Sequence, residues 1–574
     1  MANQRLWRYL VLGLCAATLM AQFPGQGRGG ARQGRQGAPA EPAREYLPEE
    51  LCTVTGRVSD AITGEPVKRA NVSAMRMNAP GQPAVAATGD DGVYVIKDLE
   101  PGTYQVFAHR QGYVRQPYGS RKPGVFPGGR LELKPGHQAT EIDIRVTPHG
   151  VISGRVTDQD GEPVANARVM PMRMATTQGV KRLMPSGNAM TNDLGEYRIF
   201  GIAPGSYRVR ASPMPGMMGF GGAAPASDSD EMNVSTFYPS SLDAAGAVSL
   251  SLTPGAELTN VDIRMERRKT VRVRGRITNP PARQGRMMVA MFPDDPMESM
   301  DRFFASVDAR GRFEVKGLQP GVYRLNAQTA QGGTRLFAEI PVSVGSSDVE
   351  DVELTLGTGL TVAGTVRIEG ESDADVTGIR VALQGRTGGF SMAGPGMPSN
   401  PGMVAEDGTF TYTGLTPSVY TVQASIPFPG HYLKSVRAGS RDLSDFKLDL
   451  TSGSAPELEV VVSAKAAAVS GAVVGKDLNP LEGAIVVLLP DEARKDNYRL
   501  YQATGTQKGG VFDFAGIPPG EYYLLAFEEL DSGVHTDYAA MRPYLTKAEK
   551  LTLRESSAET RKLDALAPPE ILAP

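Results

Sequence analysis

At 574 residues the chain is too long for one hydrophobic core, and length alone gives about four domains. Glycine (66) and proline (43) are over-used beside a 41% hydrophobic fraction, the composition of many short strands and turns rather than of a disordered chain. A net charge of −3 excludes an electrostatic case for nucleic acid or an anionic membrane surface. With Cys15 in the leader and Cys52 alone, the mature chain is left without an internal disulfide or a cysteine-based metal site.

Residues 1–21 read as a signal peptide. Arg5 and Arg8 form a basic start, Tyr9 to Met20 is an apolar run too short to span a bilayer, and Ala21 offers a small residue before Gln22. Leu14 stands where lipidation of Cys15 needs a small residue, so no lipid anchor is expected. No later segment is apolar enough to span a membrane, and the protein is expected in the periplasm, outside the cell or at its surface. Residues 22–48, rich in Gly, Gln and Arg, have little to bury and read as a disordered tether.

The remaining chain is a repeat. Its clearest copy, Thr191 to Ala211, reads as a β-hairpin with one turn at Asn192-Asp193-Leu194-Gly195 and another at Pro204-Gly205. Tyr197 and Ile199, then Tyr207, Val209 and Ala211, alternate as half-buried strands do. Related stretches run from Gly92 to Tyr104, Gly311 to Tyr323, Gly408 to Tyr420 and Gly510 to Tyr522, each with the spacing of Gly195 to Tyr207. Fixed spacing predicts fixed turns.

Each repeat opens on an alternating strand centred on Gly56, Gly154, Gly275, Gly364 or Gly471, where a mid-strand glycine predicts a bulge or a close backbone approach. The distance from that glycine to the next landmark varies, with Gly92 following Gly56 by 36 residues and Gly408 following Gly364 by 44, so insertions gather at one loop. Closing strands such as Leu131-Leu133 and Ile142 to Val146 bring each unit to about seven strands, the spacing of a β-sandwich. The expected fold is all-β, a tandem array of five sandwiches over 49–148, 149–267, 268–358, 359–466 and 467–574.

The succession V-x-G-x-V, G-x-P-V-x-x-A-x-V, G-x-Y and L-x-P-G-x-Y-x-V-x-A resembles the carboxypeptidase regulatory-like domain. The resemblance implies a transthyretin-like (prealbumin-like) Greek-key sandwich, close to starch-binding carbohydrate-binding folds and non-catalytic in the peptidases that carry it. Ser418 replaces the turn glycine in the fourth repeat, and the third lacks the G-x-P-V segment. The chain is also similar to pilin-type adhesin sandwiches, some of which join a first-strand Lys to a last-strand Asn. Here the opening strands place no Lys in register, so no such cross-link is expected.

Candidate chemistry is sparse. His109, His137, His149, His431 and His535 form no H-x-x-E or H-E-x-x-H pair, and G-x-S-x-G does not occur, so no catalytic, metal or cofactor residues are assigned. Met75, Met77, Met170, Met172, Met174, Met287 and Met291 lie at strand spacing and read as core, while the loop with Met214, Met217 and Met218 is the better of the methionine stretches as a copper(I) candidate and is not assigned as a site. Asp90, Asp91, Asp158, Asp160 and Asp407 read as turn residues.

Tyr104, Tyr207, Tyr323, Tyr420 and Tyr522 read as structural pins for the adjacent turn. Aromatic residues off that register are the candidate ligand-binding set: Tyr118, Phe237, Tyr238, Phe428, Tyr432 and Tyr544. Exposed rings stack on sugar faces or anchor a protein, although the single Trp, Trp7, is lost with the leader. The sequence therefore points to a binding module for carbohydrate or an envelope protein. A structural stalk and a regulatory partner of an exported peptidase are the alternatives.

Overall fold

The opening strand of each repeat sits at the centre of a small sheet. Cys52–Asp60 pairs antiparallel with Val93–Leu99 and parallel with Gln138–Ala139 and Ile144–Val146. Ala467–Val474 does the same with Val511–Ile517 and Ala558–Asp564. A second sheet faces the first. In repeat one it runs Ala84–Ala87, Asn71–Arg76, Gly102–His109, with Arg130–Leu133 beyond. The return of the last strand to the side of the first makes the topology a Greek key. The computed structural model describes residues 46–77, 82–123, 128–177, 179–213, 231–280, 287–294, 301–331, 334–385, 402–428 and 430–567. The stretches expected to be a signal peptide and a tether, up to residue 45, and the loop Met214 to Met218 lie outside them.

Five apolar cores follow one another along the chain, spanning Cys52 to Val146, Ile152 to Met265, Val271 to Leu356, Val362 to Val462 and Ala467 to Leu563. The tandem all-β array is therefore present. Alternation explains the burial: in Val93–Leu99 the core takes Tyr94, Ile96 and Leu99 while Val93, Val95 and Lys97 face out. The phase breaks between Ile96 and Leu99 because the strand carries one residue more than its partner there, a β-bulge. Asp98 occupies the bulge at φ 57°, and the same place in the other repeats holds Gly201, Gly317, Gly414 and Gly516 at φ 72–80°.

The stretch expected to be a hairpin is not one. Glu196–Ile202 pairs with the opening strand, whereas Gly205–Pro213 pairs with Ala167–Thr177 in the facing sheet. Pro204-Gly205 is thus an arch that carries the chain from one sheet to the other. Both flanking strands have one apolar face, as hairpin strands would, but those faces meet across the core instead of lying side by side. The tyrosines pin this arch. The hydroxyls of Tyr104, Tyr207, Tyr323 and Tyr522 donate to the carbonyls of Glu100, Ala203, Gln319 and Pro518 at 2.6–2.9 Å, and Tyr420 reaches Thr416 at 3.1 Å.

The mid-strand glycines mark a close backbone approach. A Cβ on Gly56, Gly154, Gly275 or Gly471 would lie 1.8–2.2 Å from the carbonyl oxygen of Ile142, Val261, Val352 or Arg561. In the first two repeats Tyr94 and Tyr197 donate to that same oxygen at 2.6 Å. Phe313, Phe410 and Phe512 take the tyrosine's place in the others.

The repeats are not independent beads. Arg130 of the first meets Asp513 of the fifth at 2.9 Å, Lys122 pairs with Asp531, and the Tyr118 phenol is pushed up by burial and then by the nearby Glu482 carboxylate. From the second repeat, Lys181 reaches Asp537 at 3.5 Å and Gly179 N–H donates to Thr536 at 3.2 Å. Asp531, Thr536 and Asp537 lie in a segment peculiar to the fifth repeat, between Phe527 and Glu549, which holds the short helix Tyr538–Met541. Asp537 caps that helix by accepting from Ala540 N–H at 3.1 Å, and Met541 is fully buried beneath it.

Candidate functional site

The fourth repeat departs from the common plan. Elsewhere the strand after the tyrosine strand stays in the same sheet, as Glu549–Leu553 does beside Gly520–Phe527. In repeat four, Tyr432–Ala438 instead crosses to the last strand, Leu458–Ser463, and widens the opening-strand sheet to five strands. Ile426, Pro427 and Phe428, with Gly430, His431 and Tyr432, form one wall of a cleft of about 1200 Å³. The fifth repeat supplies the facing wall with Arg494, Asn497, Arg499 and the strand Gln502–Gly505, and Met77 and Arg130 of the first repeat border the opening.

Rings and polar groups alternate around this cleft. Phe428 stands edge-on to His431, with ring centroids 5.6 Å apart, and His431 Nε2 lies 2.8 Å from Ser372 Oγ. Gln423, Asn497 and Gln502 offer amides, each able to donate and accept. Arg130 is tied to Asp513. Arg494 bonds Asp491 Oδ1 at 2.6 Å and lies 4.8 Å from the Tyr522 ring centroid, and burial pushes the Tyr522 phenol up to about 12.

Arg499 differs from the other cations. It donates to the Val422 carbonyl, lies 4.9 Å from the Phe446 ring centroid, and meets no carboxylate among the described residues. Burial alone brings its guanidinium down to about 10, so a positive charge is held in the wall without an acidic counterpart.

Two of the six expected ligand-binding aromatics, Phe428 and Tyr432, line the cleft. The expectation that the set is exposed is not met. Tyr118 (5% exposed), Phe237 (7%) and Tyr432 (8%) are buried. Tyr118 faces Glu482 of the fifth repeat, and Phe237 packs on Met170, Met172 and Leu183. Tyr238 packs on the second core, and Tyr544 meets Phe527 edge-on at 5.2 Å. Sequence reasoning passed over Arg499 and Asn497 because neither belongs to a motif; the only signal was their position in the variable loop region ahead of the invariant spacing.

Among the described residues no three His, Cys, Asp or Glu side chains gather as a metal site. Met170, Met172, Met287 and Met291 are core residues, whereas Met75 and Met174 are more exposed. Asp158 accepts from the N–H groups of Asp160 and Glu162 at 2.9 and 3.0 Å, a turn role, and both aspartates also pair with Arg267. No described helix is long and apolar enough to cross a membrane.

Residues 53–147 and 151–219 match the family model of the carboxypeptidase regulatory-like domain. No curated protein matches the chain. Among solved structures, the Bacillus anthracis TIE protein is 14% identical with a TM-score of 0.16, over 53% of this chain and 51% of its own length. The minor pilin GBS52 of Streptococcus agalactiae is 11% identical with a TM-score of 0.22, over 41% of this chain and all of its own. Two B repeat units of the collagen-binding protein of Staphylococcus aureus are 12% identical with a TM-score of 0.13, over 72% of this chain and 99% of theirs.

Proposed function

We propose, from the premise that its first two repeats are carboxypeptidase regulatory-like domains, that this protein is a non-catalytic exported binding protein. Its ligand is a carbohydrate of the cell envelope or its surroundings, received in the cleft between repeats one, four and five. The observation that carries this reading is the cleft itself: an open groove of about 1200 Å³ bordered by Phe428, by the amides of Gln423, Asn497 and Gln502, and by the acid-free Arg499. A ring edge beside convergent amides suits a polyhydroxylated chain, and a guanidinium that meets no carboxylate among the described residues favours one that bears acidic groups.

A spacer role, in which each repeat simply adds length, is less well supported. The ion pairs Arg130–Asp513 and Lys122–Asp531 tie the first repeat to the fifth, which a plain spacer does not need.

The test is a glycan-array and polysaccharide-retention screen with the mature chain from Gln22 onward, beside Phe428→Ala, Asn497→Ala and Tyr238→Ala. Retention of a specific glycan that falls tenfold or more in the first two variants and persists in the third supports the cleft. Loss in all three equally, or retention of no glycan by the wild type, overturns it.

A further inference from the structure

The fifth repeat is seated on the first two by charge. Lys122 and Arg130 of the first and Arg173 and Lys181 of the second face Asp513, Asp531 and Asp537 of the fifth, with Arg130–Asp513 at 2.9 Å, Arg173–Asp531 at 3.7 Å and Lys181–Asp537 at 3.5 Å. Lys508 and Glu141 run the other way at 3.2 Å. Asp531 is the keystone, since its one carboxylate takes Lys122 from the first repeat and Arg173 from the second. Arg173 stands on the hairpin of Ala167–Thr177 with Val180–Pro185, near whose tip Gly179 N–H donates to Thr536 Oγ1 at 3.2 Å.

Shape fits the seat as well as charge does. A Cβ on Gly179, Gly483 or Gly533 would stand 2.4 Å from Tyr498 Cε1, 2.7 Å from Gly119 O and 2.0 Å from Thr176 O, each across the joint. Apolar packing does not cross it: among the described residues, the buried clusters of repeats one and two share no member with those of repeat five. In every ion pair of the joint the cation is at least 36% exposed, so dissolved ions reach it. Domains that meet without a large apolar interface move relative to one another. Where exposed opposite charges hold them, salt loosens the hold by shortening the reach of each charge, from about 10 Å at 0.1 M to about 3 Å at 1 M.

We propose that this joint is an ionic clasp that opens with ionic strength, and that its opening removes one border of the cleft. Arg130 and Asp513 are partners in the clasp and both border the cleft, as does Met77 of the first repeat, so parting the first repeat from the fifth withdraws that side of the opening. The wall shared by repeats four and five stays in place, because Arg499 crosses to neutral partners of the fourth repeat, the Val422 carbonyl and the Phe446 ring, which have no charge to screen. The regulatory role rests on the cleft being the ligand site, but the clasp is measured without ligand, so an unsuccessful glycan screen and an absent clasp are distinct results.

Pulsed electron-paramagnetic-resonance distances in the mature chain test the clasp. One nitroxide pair, at Ile62→Cys and Leu478→Cys, sits on exposed turns of repeats one and five, and a second, at Met77→Cys and Ala515→Cys, spans the cleft opening; native Cys52 is fully buried. Between about 0.05 M and 1 M NaCl the population at the longer distance is expected to rise about tenfold or more in both pairs. Asp531→Lys, which meets Lys122 and Arg173 with like charge, is expected to show the longer distance already at low salt. Adding Lys122→Glu and Arg173→Glu to that variant is expected to restore the shorter one, which a misfolded fifth repeat would not do. Distances unmoved by salt and by Asp531→Lys, a triple variant as open as Asp531→Lys alone, or lengthening of the first pair without the second overturns the proposal.

Discussion

Replacing Gly154 with alanine tests the idea that each sandwich is locked by one backbone contact. The new Cβ would stand 2.2 Å from the Val261 oxygen, 2.5 Å from its carbon and 2.9 Å from its nitrogen. All of these are main-chain atoms, so no side chain can swing aside. Relief requires the segment at Val261 to withdraw by about 1 Å. Three hydrogen bonds hold that segment: Tyr197 Oη to Val261 O at 2.6 Å, Val261 N–H to Ser153 O at 3.0 Å, and Arg155 N–H to Asp262 Oδ1 at 2.8 Å. At about 1 kcal/mol each, with a further penalty for the buried tyrosine hydroxyl left unpaired, the expected loss is about 3–5 kcal/mol. Tyr197→Phe, which removes one bond without the clash, is expected to cost about 1–2 kcal/mol. A five-repeat chain does not unfold in two states, so the readout is hydrogen exchange of the Gly150–Thr157 amides in the full protein. A change below about 1 kcal/mol for Gly154→Ala, or a larger effect of Tyr197→Phe than of Gly154→Ala, would refute the reasoning.

At the bulge, Gly201→Ala meets no atom within 4 Å, so its cost is conformational and about 1 kcal/mol, whereas Asp98→Gly relieves a residue already at φ 57° and is expected to be neutral or mildly stabilising. Exchange protection of Glu196–Ile202 and Val93–Leu99 reads both changes, and a neutral Gly201→Ala would count against them. His535 lies between repeats two and five, and burial brings its imidazole down from 6.5 to about 4. The unfolded imidazole takes up its proton near pH 6.5 and the folded one only near pH 4, so this contribution to stability is intact above 6.5, declines as pH falls to 4 and is constant below, an upper bound of about 3 kcal/mol. Exchange in the segment around Tyr538–Met541 is expected to accelerate over that window in wild type and less so in His535→Gln; identical pH profiles would dismiss the histidine.

The repeat, the strand alternation and the tyrosine pins were legible because they depend on local spacing. The mid-strand glycines were legible as well, since their backbone approach leaves no other residue possible. Sheet membership was not. An arch and a hairpin have the same turn residues and the same apolar alternation, and only the partner strands, Gly150–Thr157 and Ala167–Thr177, tell them apart. The aromatics misled for a related reason: departure from the strand register brought Tyr118 to an inter-repeat contact instead of to solvent. The helical segment at Tyr538–Met541 is too short for a visible 3.6-residue period, although Asp537 before Tyr-Ala-Ala is an ordinary helix start.

The placement of first and last strands as parallel neighbours also decides how each sandwich bears tension. A pull on the chain draws the opening strand toward its start and the last strand toward its end, opposite directions along a shared axis. The hydrogen bonds between them are therefore loaded together in shear and do not peel one at a time. In the fifth repeat this ladder is continuous from Ala468 opposite Ala558 to Val474 opposite Asp564, and in the fourth from Gly364 opposite Leu458 to Glu369 opposite Ser463. In the second it is split into two short pieces, Val151–Ile152 against Glu257–Leu258 and Val156–Thr157 against Ile263–Arg264. Under force the second repeat is expected to give way before the fourth and fifth.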